Sequence, residues 1–312
     1  MSRFNVQSFL FAFTVLLLTL IGQRSSHEAS RVPTIHPIAK TSLAETENLE
    51  LLDREGESRE NVLASVHTAL PTHPSLSIQA EGVLVKEIGS YEILYEVNAN
   101  DAWPLASITK LMTALVAEQL IPPQTVIQIS ADAIAVPGIA GSLKEGEFYT
   151  KENLIRAALG ISSNDAASAL GEAVGYPAFI DAMRSEAHAL HMMNTSFFDV
   201  TGLSSLNFGT LYDLSKLAEY IFLNEPHLLE VTRSKSFSIM EEHTHVSHTI
   251  VNNNEFAGSP WFLGGKTGYT EDARGNLVSL VRIHDRNFVI AVFGSDDRFG
   301  ETRKVIDYLQ DL

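Results

Sequence analysis

The 312-residue chain contains no cysteine. This absence excludes disulfide bonds, a thiol nucleophile and a lipid anchor attached at a cysteine. Basic residues are also scarce: 22 lysines and arginines stand against 38 aspartates and glutamates, so the formal net charge is −16. Because nucleic-acid binding requires a basic surface, this balance argues against a nucleic-acid partner. The hydrophobic content of 45% is sufficient for one or two compact units.

Several common signatures of enzymes are missing as well. No G-x-S-x-G or H-E-x-x-H segment occurs, so the usual marks of a Ser-His-Asp hydrolase and of a zinc protease are absent. The segment 263–268 ends like a phosphate-binding loop, but Pro260 stands where that loop needs its first glycine. The spacing of His243, His245 and His248 would allow zinc ligation, although a solvated strand or hairpin is the favoured interpretation. No metal or other cofactor is predicted.

The sequence has one long apolar run, which lies near the N-terminus. Residues 9–21 are uncharged and almost wholly apolar, and Arg3 precedes them. The run is shorter than the roughly 20 residues of a membrane-spanning helix and is typical of a signal-peptide core. Residues 1–23 are therefore predicted to be a signal peptide or an uncleaved membrane anchor of an exported protein. Residues 24–75 are polar and acidic and are predicted to be a linker, so the folded domain is expected over residues 76–312.

Strand-like segments lie at both ends of this folded part, and helical patterns dominate between them. Residues 77–86 and 91–97 are predicted to form a hairpin. Residues 107–224 are mainly helical, and a closing helix is expected over residues 300–312. This order predicts an α/β fold in which one sheet is built from both termini and a helical subdomain is inserted. The late strands are predicted at residues 262–267, 276–282 and 287–293, with the last turn at residues 285–287.

A cation, a hydroxyl and a glycine follow one another in Lys266-Thr267-Gly268. An apolar run precedes the triplet and a turn-like Glu271-Asp272 follows, which predicts that the triplet lies at the end of a strand. These residue types can hold a carboxylate while a backbone segment approaches closely. The triplet therefore indicates a site for a substrate with a free carboxylate.

Ser107 and Lys110 lie three residues apart in an amphipathic pattern. Apolar side chains recur at the i, i+3, i+4, i+7 and i+8 positions from Ile108, which predicts a helix. Pro104 is expected in its first turn, so the N–H of Ser107 would face outward and could bind an oxyanion. A lysine that is desolvated beside the serine could lose its proton and serve as a base. One S-x-x-K match is expected by chance in a chain of this size.

Two segments fit the pattern S-x-N, namely Ser162-Ser-Asn164 and Ser205-Leu-Asn207. The first follows a predicted helix over residues 151–160 that Thr150 would cap, and a second helical run begins directly after it. The second segment lies in a loop rich in glycine, serine and asparagine, where a turn role is favoured. The context therefore selects Ser162 and Asn164.

Along the chain, the Ser107–Lys110 motif comes first, the Ser162–Asn164 motif second and Lys266-Thr267-Gly268 third. In this order the three motifs resemble those of the penicillin-recognising serine enzymes. More narrowly, the chain is similar to the serine D-alanyl-D-alanine carboxypeptidases, the low-molecular-mass penicillin-binding proteins. The resemblance implies a β-lactamase/DD-peptidase-like fold, with an antiparallel sheet flanked by helices and an inserted all-helical subdomain. It extends from about residue 75 to the end of the chain. The segments that carry it are residues 95–114, 141–147, 163–167, 194–197, 202–203 and 266–270.

Two departures from the family are visible. Leu105 stands where the family usually has proline, and the preceding Pro104 is expected to do the same job. No second β-rich domain or C-terminal membrane helix follows before Leu312, although several relatives have both. This second departure leaves a carboxypeptidase and a D-alanyl endopeptidase both open.

The resemblance implies a role for each catalytic residue. Ser107 is expected to attack the carbonyl of the penultimate D-alanine and to form an acyl-enzyme. Lys110 is expected to act as the base for that attack. Ser162 is expected to relay a proton to the leaving amine, and Lys266 to polarise Ser162.

The same resemblance implies a set of substrate contacts. Asn164 is expected to bind a carbonyl of the substrate peptide and to hold Lys110. Thr267 is expected to receive the terminal carboxylate together with Lys266, and Gly268 to let the substrate backbone lie along the strand.

An oxyanion hole and a further cation complete the implied site. The backbone N–H groups of Ser107 and Tyr269 are expected to form the hole. Arg298 is the best match for a family arginine that helps bind the carboxylate, and a solvated surface charge is the competing interpretation.

The implied partners are peptidoglycan stem peptides as substrates and β-lactam antibiotics as covalent inhibitors, with a location in the cell envelope. A class A-like β-lactamase is one alternative. It would need a Glu-x-x-Leu-Asn segment before the Lys266 strand, and the segments that begin at Glu225 and Glu230 do not fit. A non-enzymatic wall-binding protein is another alternative, and it would be favoured by a broken set of motifs.

Overall fold

The computed structural model describes residues 76–138, 141 and 143–312. The signal or anchor segment and the linker predicted for residues 1–75 lie outside the described residues. No helix within the described ranges is both long enough and apolar enough to cross a membrane.

The main sheet has five antiparallel strands, in the order β2 (Ile93–Val97), β1 (Gly82–Glu87), β11 (Arg286–Ser295), β10 (Arg274–Ile283) and β9 (Phe262–Thr270). The N-terminal strand β1 pairs with the last strand β11, from Gly82 opposite Phe293 to Glu87 opposite Phe288. This pairing confirms that one sheet is built from both ends of the chain. The described strands are β1 Gly82–Glu87, β2 Ile93–Val97, β3 Trp103–Pro104, β4 Val126–Gln128, β5 Phe148–Thr150, β6 Phe208–Gly209, β7 Ser236–Met240, β8 Ser247–Val251, β9 Phe262–Thr270, β10 Arg274–Ile283 and β11 Arg286–Ser295.

Helices fill the space between the early and late strands, as the sequence predicts. Short two-stranded ladders join them: β3 with β6, β4 with β5, and β7 with β8. The last of these is the hairpin expected around the three histidines. The described α-helices are α1 Lys110–Leu120, α2 Ala131–Ile134, α3 Lys151–Gly160, α4 Asn164–Val174, α5 Tyr176–Ala189, α6 Leu211–Asn224, α7 His227–Arg233 and α8 Arg298–Gln310.

Both faces of the central sheet are buried, which explains the nearly continuous apolar runs of its strands. Alternate residues point to opposite faces of a strand. Val83 and Val85 of β1 therefore pack with Val305 and Ile306 of α8, while Leu84 joins the larger core of the inserted helices. The sheet is thus a rigid support for residues at its β9 edge.

The turn between β10 and β11 begins one residue and ends two residues earlier than predicted. His284 and Asp285 form it, with φ of 48° and 63°, and Arg286 already belongs to β11. Two successive positive φ angles match a two-residue hairpin turn that follows the twist of the strands. Neither residue is glycine or asparagine, so no typical hairpin dipeptide marked the bounds of this turn in the sequence.

The closing helix α8 begins at Arg298, two residues before the predicted start. The side chain of Asp297 caps it by accepting a hydrogen bond from the N–H of Gly300 at 2.9 Å. The glycine lies inside the first turn, where an isolated glycine is tolerated.

Pro104 lies before the helical turn that carries Ser107, so the prediction that it belongs to the first turn of that helix is wrong. Pro104 lies in β3 opposite Phe208, and a 3₁₀ turn then spans Ala106–Thr109 before α1 begins. The N–H of Leu105 donates to the carbonyl of Asn207 at 2.9 Å. Proline has no N–H, so the leucine at this position supplies a bond that the family's usual proline cannot make.

Candidate active site

Ser107 lies in the 3₁₀ turn and is partly exposed, while its neighbours are buried. Ala106 before it has a φ of 48°, a conformation that non-glycine residues rarely adopt and that concentrates at functional sites. Strand β9 runs close beside this turn. A Cβ on Gly268 would lie 3.0 Å from the carbonyl oxygen of Leu105 and 3.2 Å from the nitrogen of Ile108. A side chain here would push the strand and the nucleophile turn apart by a few tenths of an ångström, so the glycine favours their close approach.

Lys110 is fully buried, and three oxygens surround its amine. Its Nζ lies 2.9 Å from Ser107 Oγ, 2.7 Å from Asn164 Oδ1 and 2.7 Å from the carbonyl oxygen of Thr201. The protonated amine can donate to all three. The neutral amine has two N–H groups for Asn164 and Thr201 and one lone pair, which then faces the hydroxyl of Ser107. This arrangement suits a base that takes the proton of Ser107.

The electrostatics of the site favour the neutral form of Lys110. Burial lowers the pKa of Lys110 to about 7, and the carboxylate of Asp199 opposes part of that shift. A lysine with an ordinary pKa would be almost entirely protonated at neutral pH. Lys110 can therefore accept a proton at neutral pH.

This pKa predicts how acylation depends on pH. Only neutral Lys110 accepts the serine proton, so the rate of acylation by a β-lactam should rise as the pH increases through about 7 and level off above it. Stopped-flow measurement of acylation between pH 5 and pH 9 checks this. A rate that does not change with pH would show that Lys110 does not titrate in the step.

Lys266 forms a second lysine–serine pair. Its buried Nζ donates to Ser162 Oγ at 2.9 Å and to the carbonyl oxygen of Thr267 at 2.8 Å. Burial, with smaller contributions from the positive charges of Lys110 and Arg298, lowers the pKa of Lys266 well below its usual value. A bound carboxylate would provide the negative charge that this amine lacks.

Ser162 and Asn164 lie where helix α3 ends and α4 begins. Ser162 has a φ of 70°, so a strained backbone directs its hydroxyl. The side chain of Asn164 is fixed at both ends, because its Oδ1 accepts from Lys110 and its Nδ2 donates to the carbonyl of Pro137 at 2.6 Å. The structure thus brings residues of the first two sequence motifs, Lys110 and Asn164, into direct contact.

Asn253 is a site residue that the sequence reasoning missed. Thr267 Oγ1 donates to Asn253 Oδ1 at 3.2 Å, and Asn253 Nδ2 donates to the carbonyl of Ile161 at 3.1 Å. One exposed side chain therefore links the end of β9 with the loop that carries Ser162. No motif contains Asn253, and only the fold reveals this contact.

Arg298 lies at the end of the Lys266-Thr267-Gly268 segment. Its Nη1 donates to the carbonyl of Gly268 at 2.7 Å, and its guanidinium lies 5.2 Å from the ring centroid of Phe299. Burial lowers the pKa of Arg298 from its usual value, with an opposing contribution from Glu255. Arg298 and the exposed Tyr269 line the same surface cavity of about 450 Å³. This position contradicts the competing interpretation of a freely solvated surface charge.

The three histidines lie away from this cluster, in and beside the β7–β8 hairpin. The ring of His243 packs against Phe148 with centroids 4.0 Å apart. His245 lies in the turn and His248 in β8.

Asp165, directly after Asn164, is a buried carboxylate with one oxygen that lacks a partner among the described residues. Burial raises its pKa to about 6, and a hydrogen bond from its own backbone N–H opposes the shift. An aspartate in the unfolded chain titrates near 4. The cost of its charge to the folded state is therefore complete above about pH 6 and disappears as the pH falls towards 4.

Replacing Asp165 with asparagine should therefore stabilise the protein in a pH-dependent way. We expect the melting temperature to rise by about 2–4 °C above pH 7 and to match the wild type near pH 4. Thermal denaturation at both pH values checks this. An equal effect at the two pH values would show that the charge is not the cause.

Comparisons with known proteins agree with this geometry. The model of the D-alanyl-D-alanine carboxypeptidase family, Peptidase_S11, matches residues 67–297. A D-alanyl-D-alanine endopeptidase of Pseudomonas aeruginosa is 29% identical, over 80% of this chain and 84% of its own. A second endopeptidase, from Haemophilus influenzae, is 32% identical over 70% of this chain and 76% of its own. The carboxypeptidase DacF of Bacillus subtilis is 26% identical, and the match spans less than two thirds of its length, 62%.

Solved structures show the same fold. A D-alanyl-D-alanine carboxypeptidase of Mycobacterium tuberculosis superimposes with a TM-score of 0.69 at 25% identity, covering 75% of this chain and 91% of that one. The Streptomyces K15 DD-transpeptidase gives a TM-score of 0.70 at 24% identity, over 77% of this chain and all of its own. This second likeness supports the fold alone. The family model matches well over half of the residues of this chain. The chain therefore belongs to the D-alanyl-D-alanine carboxypeptidase family of serine peptidases.

Proposed function

We propose that the protein hydrolyses the terminal D-alanyl-D-alanine bond of peptidoglycan stem peptides through an acyl-enzyme on Ser107. The observation that carries this proposal is the contact of Lys110 Nζ with Ser107 Oγ at 2.9 Å, made by a buried amine whose pKa lies near 7. A serine hydroxyl is a weak nucleophile until an adjacent base takes its proton. The pair supplies both parts of that step.

In the first step Ser107 Oγ bonds to the carbonyl carbon of the penultimate D-alanine, and its proton passes to Lys110. The carbonyl oxygen becomes an oxyanion, which the N–H groups of Ser107 and Tyr269 would stabilise. Such a donor contributes a factor of about 100 or more in rate. Collapse of the tetrahedral species breaks the C–N bond. The leaving amine then takes a proton from Ser162, which Lys266 holds at 2.9 Å. The proton that Lys110 took from Ser107 would replace it on Ser162, which returns Lys110 to its neutral form.

The free carboxylate of the last D-alanine would be held at the end of β9. Thr267 offers a hydroxyl there, Arg298 a guanidinium group, and Lys266 an amine whose protonated form the bound carboxylate would favour. β9 is an edge strand of the sheet, so an extended peptide can lie along it with Gly268 leaving room for the backbone. Water then attacks the carbonyl carbon of the acyl-enzyme and its proton passes to the neutral Lys110. The bond to Ser107 Oγ breaks, Lys110 returns the proton to that oxygen, and the shortened peptide is released.

Release of D-alanine from a synthetic stem peptide tests this proposal. The matched control is the same peptide with its C-terminal carboxylate converted to an amide. We expect rapid release from the acid and a loss of at least tenfold in kcat/KM for the amide, because the amide presents no anion to Lys266 and Arg298. Equal turnover of the two peptides, or none of the acid, would contradict the proposal.

Cleavage of cross-links is a second candidate function. The relatives from Pseudomonas aeruginosa and Haemophilus influenzae are named D-alanyl-D-alanine endopeptidases, and a cross-link is also a D-alanyl bond. Mass spectrometry of muropeptides that contain both pentapeptide monomers and cross-linked dimers separates the two activities. Loss of one alanine from the monomers identifies a carboxypeptidase, and conversion of dimers to monomers identifies an endopeptidase.

β-Lactams would acylate the same serine and remain attached. Lys110 contacts Ser107, Asn164 and Thr201. No carboxylate of the described residues is hydrogen-bonded to Ser107 or Lys110, so a glutamate that would activate water for rapid deacylation is not in place there. We therefore expect a long-lived penicilloyl-enzyme rather than β-lactamase turnover.

The location follows from the N-terminal sequence and the substrate. Residues 1–23 would export the chain or anchor it in the membrane, and residues 24–75 would link that segment to the catalytic domain, residues 76–312. Peptidoglycan lies outside the cytoplasmic membrane, so the domain would act in the cell envelope.

A further inference from the structure

We propose that Asp199 is a positioning residue of the active site, which holds the carbonyl group of Thr201 against the amine of Lys110. The proposal rests on the assignment of Lys110 as the base. It gives a role to the loop 199–207, which includes the second S-x-N segment. The sequence had suggested only a turn for that segment.

The carboxylate of Asp199 organises this loop with five hydrogen bonds. Its Oδ1 accepts from the N–H and the hydroxyl of Thr201 and from the N–H of Gly202, each at 2.7 Å. Its Oδ2 accepts from the N–H of Ser204 at 2.9 Å and from Asn207 Nδ2 at 2.7 Å. All five groups are donors, and only an ionised carboxylate accepts from all of them without presenting a hydrogen of its own. With its N–H and its hydroxyl fixed, Thr201 directs its carbonyl towards Lys110.

The same loop is attached to the nucleophile turn at two points. The fully buried Asn207 accepts the N–H of Leu105 through its carbonyl. Gly202, with φ of 84°, packs so closely on Ala106 that a Cβ there would lie 1.8 Å from the carbonyl oxygen of Ala106. The loop therefore touches the residues just before Ser107 and also the base three residues after it. A shift of the loop would change the distance between nucleophile and base.

Asp199 also acts through its charge. Its negative charge raises the pKa of Lys110 against the larger lowering effect of burial. Burial disfavours ionisation of Asp199 itself, but hydrogen bonds from Thr201, Ser204 and Gly202 outweigh burial and hold its pKa below the usual value. Lys110 also interacts with the positive charge of Lys266, and the charge of Asp199 also raises the pKa of Tyr176. The negative charge of Asp199 favours protonated Lys110. Removing that charge should therefore lower the pKa of Lys110.

The test is the pH dependence of β-lactam acylation in the variant Asp199→Asn. In this variant an NH₂ group replaces the carboxylate oxygen that accepts from Ser204 and Asn207. Two sets of donors then face each other, so the loop should shift. Misplacement by about 1 Å can cost about 100-fold in rate, and we expect the rate plateau to fall about 10- to 100-fold. Loss of the nearby anion should also move the midpoint of the profile to lower pH by about half a unit or more.

Asp213→Asn is the matched control. Asp213 is another buried carboxylate that holds a neighbouring loop, because it accepts from the N–H of Asn194 at 2.8 Å and the hydroxyl of Thr195 at 3.1 Å. It has no bond to Lys110. For this variant we expect a lower melting temperature, but an acylation pH profile with the same midpoint as that of the wild type. If Asp199→Asn likewise loses stability without a shift of its midpoint, Asp199 has only a structural role and the proposal fails.

Asp199→Glu keeps the charge and decides the matter if Asp199→Asn does not fold. We expect the pH profile of acylation to keep the wild-type midpoint, because the charge remains. The rate plateau should lie between those of wild type and Asp199→Asn, because the carboxylate is displaced by one methylene. A wild-type plateau would show that the rate does not depend on the placement of this carboxylate. Wild-type protein that is not acylated at all would instead overturn the proposed function. The two failures are thus distinguishable.

Discussion

Replacement of Ser107 with alanine is expected to reduce D-alanine release by a factor on the order of 10⁴ or more and to abolish covalent labelling by penicillin. The reason is that Lys110 and the oxyanion donors remain in place but no hydroxyl is left to form the ester. The small, partly exposed side chain of Ser107 makes little contribution to packing, so the variant should fold. Labelling with a fluorescent penicillin and an assay of released D-alanine check both parts.

Ser205→Ala is the matched control for this experiment. Ser205 belongs to the other S-x-N segment and is exposed, so its hydroxyl should be dispensable and the variant should retain wild-type rates. Labelling of Ser107→Ala would contradict the assignment of the nucleophile. Loss of activity in Ser205→Ala would show that the choice between the two serine motifs was wrong.

Replacement of Lys110 with methionine is expected to lower the acylation rate by about 10²- to 10⁴-fold, because no group then takes the proton of Ser107. Methionine has a similar length and carries no charge, so it fits the buried position. The substitution leaves Asn164 Oδ1 and the carbonyl of Thr201 without their donor, and it also removes the cost of a buried amine. The rate of acylation by a chromogenic β-lactam, followed by stopped flow, measures the effect.

Lys151→Met controls for the loss of a buried lysine as such. Lys151 is 3% exposed and forms an ion pair with Glu118 at 2.9 Å, with no bond to the catalytic cluster. We expect this variant to be less stable but to acylate at the wild-type rate. Acylation of Lys110→Met at the rate of Lys151→Met would exclude Lys110 as the base.

The sequence predicts the fold well where long-range pairing follows from hydrophobic pattern. The sheet built from both ends and helix α3, with its Thr150 cap, appear as expected. The 3₁₀ turn at Ala106–Thr109 and the bounds of the His284-Asp285 turn did not follow from pattern, because both depend on residues with positive φ that are not glycine. Such conformations are imposed by tertiary contacts rather than by local preference.

The candidate site divides in the same way. Lys110 and Lys266 could be identified because each belongs to a short motif with a defined residue type at each position. Thr201 acts on Lys110 through its carbonyl, and a backbone carbonyl has no sequence signature. Asn253 links Thr267 to Ile161, and Asp199 reaches Lys110 through Thr201. Ile161 and Lys110 are distant from these residues in sequence, so only the folded structure places Asn253 and Asp199 near the catalytic pairs.

The position of the covalent adduct is the most direct test of the proposed mechanism. The protein would be incubated with benzylpenicillin, digested and analysed by tandem mass spectrometry. We predict a single penicilloyl group on Ser107, with Ser162 and Ser205 unmodified. An adduct on another residue, or none on a folded protein, would contradict the assignment of Ser107 as the nucleophile.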